Sequence, residues 1–159
     1  MKPSLRTFIF VSAALCVFYI TSALADDKTA VIRGGKLSIV GEINEPKLLL
    51  NGKKILEPET FSLDIVKTFA IGETDVVLVM DNSGGTACPV QYFFVTVTLQ
   101  GTAKLSPEFG TCSDLAKSTQ SGSKISVTMP KMTGLGNAKY VYFNGSITEN
   151  GKPIKDTGH

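Results

Sequence analysis

The sequence predicts an all-β, mainly antiparallel fold, a small barrel, sandwich or curved meander of about eight or nine short strands with at most one short helical turn and one disulfide. Three observations carry this. Between Gln91 and Gln100, Phe93, Val95, Val97 and Leu99 alternate with Tyr92, Phe94, Thr96 and Thr98, the period of two of a strand. The run Val76-Val77-Leu78-Val79-Met80 is short and continuously apolar, as a strand covered on both faces is. Asn-Gly pairs at Asn51-Gly52 and Asn144-Gly145 interrupt apolar runs, the composition that a tight hairpin turn of two positive-φ residues demands.

Taken in order, residues 30–33 form a short strand that stops at Gly34-Gly35, and residues 36–43 alternate as a second. Residues 48–50 and 55–56 flank the Asn51-Gly52 turn, with Pro46 and Pro58 limiting pairing at the outer ends. Residues 61–69 carry two periods at once. Phe61, Leu63 and Ile65 alternate, while Leu63, Val66 and Phe69 have helical spacing; the strand reading is favoured by its neighbours. A turn at residues 71–74 leads into the apolar run. The stretch Asp81, Asn82, Ser83, Gly84, Gly85, Thr86, ending at Cys88-Pro89, is rich in residues that tolerate positive φ or cap their own backbone, and reads as a long shaped loop. Residues 102–105 give a further strand. Residues 106–117 hold the one plausible helical turn, capped by Thr111 or Ser113, and residues 118–123 read as a polar loop. Residues 124–129 alternate up to Pro130, and residues 139–148 form a strand that Asn144-Gly145 turns or bulges. The echo Asn150-Gly151-Lys152 is hairpin chemistry rather than a repeat architecture.

Residues 1–25 read as a signal peptide: Lys2 and Arg6, an apolar stretch from Phe8 to Ile20, then Ala23-Leu24-Ala25 as a small-x-small cleavage site. Residues 26–159 then form a single β-rich domain, with no membrane span in the mature chain and a periplasmic or secreted address. Two of the sixteen Lys and Arg residues lie in the leader, which leaves fourteen against fourteen Asp and Glu. That balance, without a basic cluster beyond Lys53-Lys54, gives no electrostatic footprint for nucleic acid. Cys16 departs with the leader. Cys88 and Cys112 remain, and in an oxidising compartment they are most simply one bridge closing a loop of about two dozen residues, worth roughly 3–4 kcal/mol in the chain-entropy picture.

The catalytic inventory is sparse. The single histidine is His159 at the terminus, so nucleophile–histidine sites and histidine zinc sites lack their base or ligands; no catalytic residue, metal or cofactor is assigned. Paired carboxylates drawn from Asp64, Asp75, Asp81, Glu108 and Asp114 are the remaining hydrolytic option. The oxygen-rich loop at Asp81–Thr86 lacks the acidic spacing of a calcium loop and reads as an Asx turn and candidate binding loop. The row Tyr92, Phe94, Thr96, Thr98 beside Tyr140 and Tyr142 is either the second buried face of a central strand or a contact surface, and Tyr92, Phe94, Tyr140 and Tyr142 are the candidate contact residues.

The segments DNSGGTACP, Tyr92-Phe93-Phe94-Val95-Thr96, FGTCSD from Phe109 and Ile125-Ser126-Val127-Thr128-Met129-Pro130 resemble a group of small exported proteins of Gram-negative bacteria with no assigned activity. The resemblance covers the second half of the chain and implies a periplasmic address. In size and architecture the chain is also similar to periplasmic lysozyme inhibitors, without their inhibitory motif. The expectation is a non-enzymatic binding protein whose partner is a periplasmic protein, as an immunity protein or enzyme inhibitor would be. The alternatives are an envelope hydrolase using two carboxylates and a structural envelope component.

Overall fold

A computed structural model describes residues 28–132 and 134–154. Strands β1 (Thr29–Ile32), β2 (Gly35–Val40), β3 (Lys47–Leu50) and β4 (Lys53–Leu56) make a first sheet in sequence order. Strands β5 (Ser62–Ile71), β6 (Thr74–Asn82), β7 (Val90–Thr98) and β8 (Ala103–Leu105) make a second. Strands β9 (Lys117–Ser121), β10 (Lys124–Pro130), β11 (Asn137–Phe143), β12 (Ser146–Glu149) and β13 (Lys152–Pro153) make a third. Every pairing is antiparallel between chain neighbours, so the fold is three consecutive meanders. The expected all-β antiparallel architecture is present, with more strands than expected: the Asn144-Gly145 hairpin divides residues 139–148 into β11 and β12, and β9 and β13 form at the edges of the third sheet. Asn51-Gly52, Asn144-Gly145 and Asn150-Gly151 all carry two successive positive-φ residues, which places a hairpin turn at each.

The second sheet is the middle layer, and its two long central strands are apolar on both sides. Val76 and Leu78 of β6 with Val90, Tyr92 and Phe94 of β7 meet Ile125, Val127, Met129, Ala138, Tyr140, Tyr142 and Ile147 of the third sheet. The intervening residues Val77, Val79, Phe93, Val95 and Val97 meet Ala30, Leu37, Ile39, Leu48 and Leu50 of the first. The continuous apolar run at residues 76–80 is therefore a strand buried on both faces, as a middle layer requires.

Strand β5 changes allegiance along its length. A bulge between Ile65 and Lys67 inserts one unpaired residue, Val66. Before it, Leu63 faces the first sheet; after it, Phe69 faces the third. The extra residue inverts the side-chain phase, and that is why residues 61–69 show a period of two mixed with a spacing of three.

Three expectations are corrected. Tyr92, Phe94, Tyr140 and Tyr142 are all at most 4% exposed, so they form the aromatic centre of the core and not a contact surface. Phe94 stacks on Phe109 at 5.3 Å and lies 4.9 Å from Tyr142, and Phe109 lies 5.0 Å from Tyr140. Residues 106–117 hold no helical turn. Phe109 instead bridges Tyr92 with two backbone hydrogen bonds of 2.8 Å, which hold it extended against β7, and Cys112 turns the chain at φ 65°. Residues 117–121 are a strand rather than part of a loop. Their polarity reflects an edge position, where Gln120 Nε2 donates to the Ala70 carbonyl and Lys67 Nζ to the Ser118 carbonyl, joining the edges of the middle and third sheets.

Candidate functional site

The two ends of the interface between the first and middle sheets are built differently. At one end Asp75, near the start of β6 and 5% exposed, accepts from Arg33 Nε at 2.8 Å, from its Nη2 at 2.7 Å and from the Arg33 backbone N–H. Arg33 also donates to the carbonyls of Gly72 and Thr74. Beside it a Cβ on Gly34 would lie 2.2 Å from the Thr98 carbonyl oxygen, so only glycine lets the β1–β2 turn sit on the end of β7. Asn51 closes the same end, accepting from Lys36 N–H and donating to the Gly34 carbonyl. This end is shut.

The other end is open. β4 stops at Leu56, and the chain crosses to β5 as a strap of residues 57–61, leaving part of the inner face of the middle sheet uncovered. The result is a cleft of about 570 Å³. Its apolar floor is Leu56, Pro58, Phe93 and Leu105; its polar wall includes Gln91, Ser83 and Ser106. A second, more open hollow of about 690 Å³ also borders the strap and shares Glu57, Pro58, Glu59, Thr60 and Ser83 with the first.

Each wall is fastened. The strap is stitched to the end of β6 by Phe61 N–H donating to the Asn82 carbonyl at 2.9 Å, and the Thr60 hydroxyl sits between that carbonyl and Asp81 Oδ1. Ser106 Oγ accepts from Phe94 N–H and donates to the Pro107 carbonyl, which fixes the chain beyond β8. The loop at residues 83–89 is shaped by its own side chains: Asn82 Oδ1 accepts from Gly84 N–H, and Ser83 Oγ donates to the Cys88 carbonyl and accepts from Gly85 N–H. This is the Asx turn that the sequence predicts. The Cys88–Cys112 disulfide, Cα–Cα 4.7 Å, ties this loop to the segment after β8. Both tied segments border the cleft, through Cys88 and Glu108. The covalent bond therefore sets the spacing of the cleft wall, and fits an oxidising compartment.

Of the candidate binding loop, Asp81 and Ser83 line the cleft; Asn82 works as the turn's acceptor, and Gly84, Gly85 and Thr86 are exposed beside it. Of the carboxylates, Asp81 and Glu108 come together at this site. Asp75 serves the closed end, about 20 Å away along β6, Asp64 pairs opposite Met80 on β5, and Asp114 is exposed before β9. Sequence reasoning missed Glu57, Glu59, Thr60, Gln91 and Ser106, which lie on three separate segments that only the stacking of two sheets brings together. Pro58 after a strand end was the one available signal of a strap.

The charge is one-sided. Glu57, Glu59, Asp81 and Glu108 line the first hollow and Glu45 joins in the second, and among the described residues no Lys, Arg or His lines either. Glu57 pairs with Lys54 and, at 3.2 Å, with Lys47, and hydrogen bonds from Lys54 and then Lys47 hold its carboxyl below the ordinary range. Among the described residues no group of His, Cys, Asp and Glu has the arrangement to hold a metal ion, and no helix is long and apolar enough to cross a membrane. No protein-family model matches the chain, and no curated protein or solved structure does either.

Proposed function

We propose that this is a non-enzymatic binding protein of the cell envelope that takes a protein partner in the strap cleft, in the manner of an inhibitor or immunity protein. One observation carries the reading: of the two ends of the same interface, one is sealed by side chains, and the other is held open by a strap, a shaped loop and a disulfide. A fold that needed only stability would gain by closing both, since each apolar side chain left partly uncovered forgoes burial free energy. A rigid concave site with an apolar floor and a polar rim is what recognition uses. The leader and the disulfide support export to an oxidising space.

Photo-crosslinking in living cells tests this, with the reactive side chain placed at Gln91 in the cleft and, as a control, at Val141 on the third sheet. A defined protein adduct from position 91 and not from 141 is the expected result. Equal adducts from both positions, or none from 91, would refute the cleft as the partner site.

A hydrolytic reading is favoured by one feature, the presence of four carboxylates, Glu57, Glu59, Asp81 and Glu108, among the residues that line the cleft. Release of soluble fragments from purified peptidoglycan or an envelope polysaccharide, abolished by Glu108→Gln or Glu59→Gln, would establish it in place of the binding reading.

A further inference from the structure

We infer that Asn144-Gly145, the turn between β11 and β12, is a self-modification site at which the folded protein converts asparagine to aspartate and isoaspartate. The chain contains three Asn-Gly pairs, beginning at residues 51, 144 and 150, and each turns a hairpin with two successive positive-φ residues. The chemistry open to all three is the same. The backbone nitrogen of the glycine, its proton taken by hydroxide, attacks Cγ of the asparagine; the Cγ–Nδ2 bond breaks, ammonia leaves and a five-membered succinimide closes. Water then adds to either ring carbonyl and opens the ring to aspartate or to isoaspartate, whose main chain runs through Cγ. Glycine favours the attack because no Cβ shields its nitrogen or restricts its rotation.

The fold separates the three turns by what holds the asparagine amide. Asn51 is clamped: Oδ1 accepts from Lys36 N–H at 2.8 Å and Nδ2 donates to the Gly34 carbonyl at 3.2 Å, so Cγ cannot swing onto the Gly52 nitrogen until both bonds break. Asn150 is held by one longer bond, Oδ1 accepting from Lys139 N–H at 3.3 Å. Asn144 is exposed, and among the described residues nothing hydrogen-bonds its amide. Gly145 differs from the other two glycines as well. A Cβ there would lie 3.9 Å from Lys104 Nζ, whereas nothing comes within 4 Å of a Cβ at Gly52 or Gly151. That ammonium, carried by β8, favours the anion formed as the Gly145 nitrogen loses its proton, and it then faces the carboxylate of the product. The inference does not depend on the cleft. The turn lies at the opposite end of β11 from Asn137, whose partner Pro130 accepts from the Thr111 hydroxyl beside the disulfide.

Peptide mapping by mass spectrometry, on the mature, disulfide-intact protein incubated in mildly alkaline buffer, tests the inference. Residue 144 is expected to deamidate at least about tenfold faster than residue 51, with residue 150 between them, since the clamp on Asn51 must open first. Isoaspartate should appear among the products at residue 144. In concentrated urea with the bridge reduced, the three rates should converge to within about threefold of one another, because the clamps exist only in the fold. Lys104→Gln should slow residue 144 in the folded protein by about threefold and leave residue 150 unchanged. Equal rates at residues 51 and 144 in the folded protein, a faster rate at 150 than at 144, no reaction at 144, or the same spread of rates persisting in urea would each overturn the inference. Indifference to Lys104→Gln would overturn the part given to the ammonium.

Discussion

The middle sheet has two faces, and they are used in different ways. Towards the third sheet it presents aromatics, and Tyr92, Phe94, Phe109, Tyr140 and Tyr142 form one contiguous ring cluster that is closed throughout. Towards the first sheet it presents mainly valines against leucines, with Phe93 the single buried ring. Large flat rings bury much area per residue and fix their neighbours in few orientations, which suits an interface whose task is to hold. Smaller aliphatic chains pack a thinner layer that can be ended early, and this interface is ended early at β4, where the cleft begins. Under the proposed function, the division gives stability to one face and recognition to the other.

The strongest test of that division is core truncation. Phe94→Ala, which removes the ring between Phe109 and Tyr142, should destabilise by about 3–5 kcal/mol in denaturant unfolding. Leu48→Ala on the other face, although equally buried, should cost less, about 2–4 kcal/mol. If Leu48→Ala proves the more damaging, the assignment of holding to the aromatic face fails.

Next in size is the disulfide. Replacing Cys88 and Cys112 together by Ser should lower stability by about 3 kcal/mol through the freed loop entropy. It should affect the cleft more than the aromatic core. Hydrogen exchange is expected to rise first at residues 83–89 and 106–112 and to leave β10 and β11 protected. Uniform deprotection would mean that the bond serves the whole fold instead of the cleft wall.

At the closed end of the aliphatic interface, Arg33→Ala should cost about 1–2 kcal/mol. The value is moderate because Arg33 is 44% exposed, while Asp75 keeps the Arg33 backbone N–H as a donor in the variant. A loss near zero would show that Gly34 and Asn51 close this end without the ion pair.

These regions were not equally legible in the sequence. The all-β class, the hairpin turns, the doubly buried β6 and the disulfide follow from local signals: alternation, Asn-Gly pairs, an unbroken apolar run, and two remaining cysteines. The mixed period at residues 61–69 was itself a signal, since a bulge at Val66 produces it. β9 escaped because Lys117, Ser118, Thr119, Gln120 and Ser121 contain no apolar residue to set a phase, and an edge strand needs none. The aromatic row was ambiguous because alternation shows that two faces differ but not that either meets solvent. Whether Tyr92 and Phe94 are covered depends on a third sheet supplied by residues 117–153, too far along the chain for any local pattern to reveal. The cleft was least legible, since its carboxylates come from the strap, the end of β6 and the segment after β8, and their convergence follows from where β4 ends.

The smallest effect concerns how the aromatic face responds to pH. Burial first, and then Glu149, push the Tyr140 phenol up to about 12 from an ordinary value of 10.0, with its hydroxyl donating to Glu149 Oε1 at 3.3 Å. Burial also raises Tyr92, whose hydroxyl donates to the Ser113 carbonyl at 3.1 Å. The folded state keeps these protons where the unfolded chain has released them. Stability from this source is therefore complete below the unfolded-state value near 10, and falls as pH rises from about 10 towards 12, because the unfolded state then binds fewer protons. Tyr140→Phe removes one ionisable group and should flatten that decline in urea unfolding followed from about pH 9 to about pH 11. Among the described residues the aliphatic face contains no buried phenol, so Arg33→Ala should shift the whole curve without changing its alkaline slope. If Tyr140→Phe leaves the slope as steep as before, the alkaline sensitivity belongs elsewhere than in the aromatic layer.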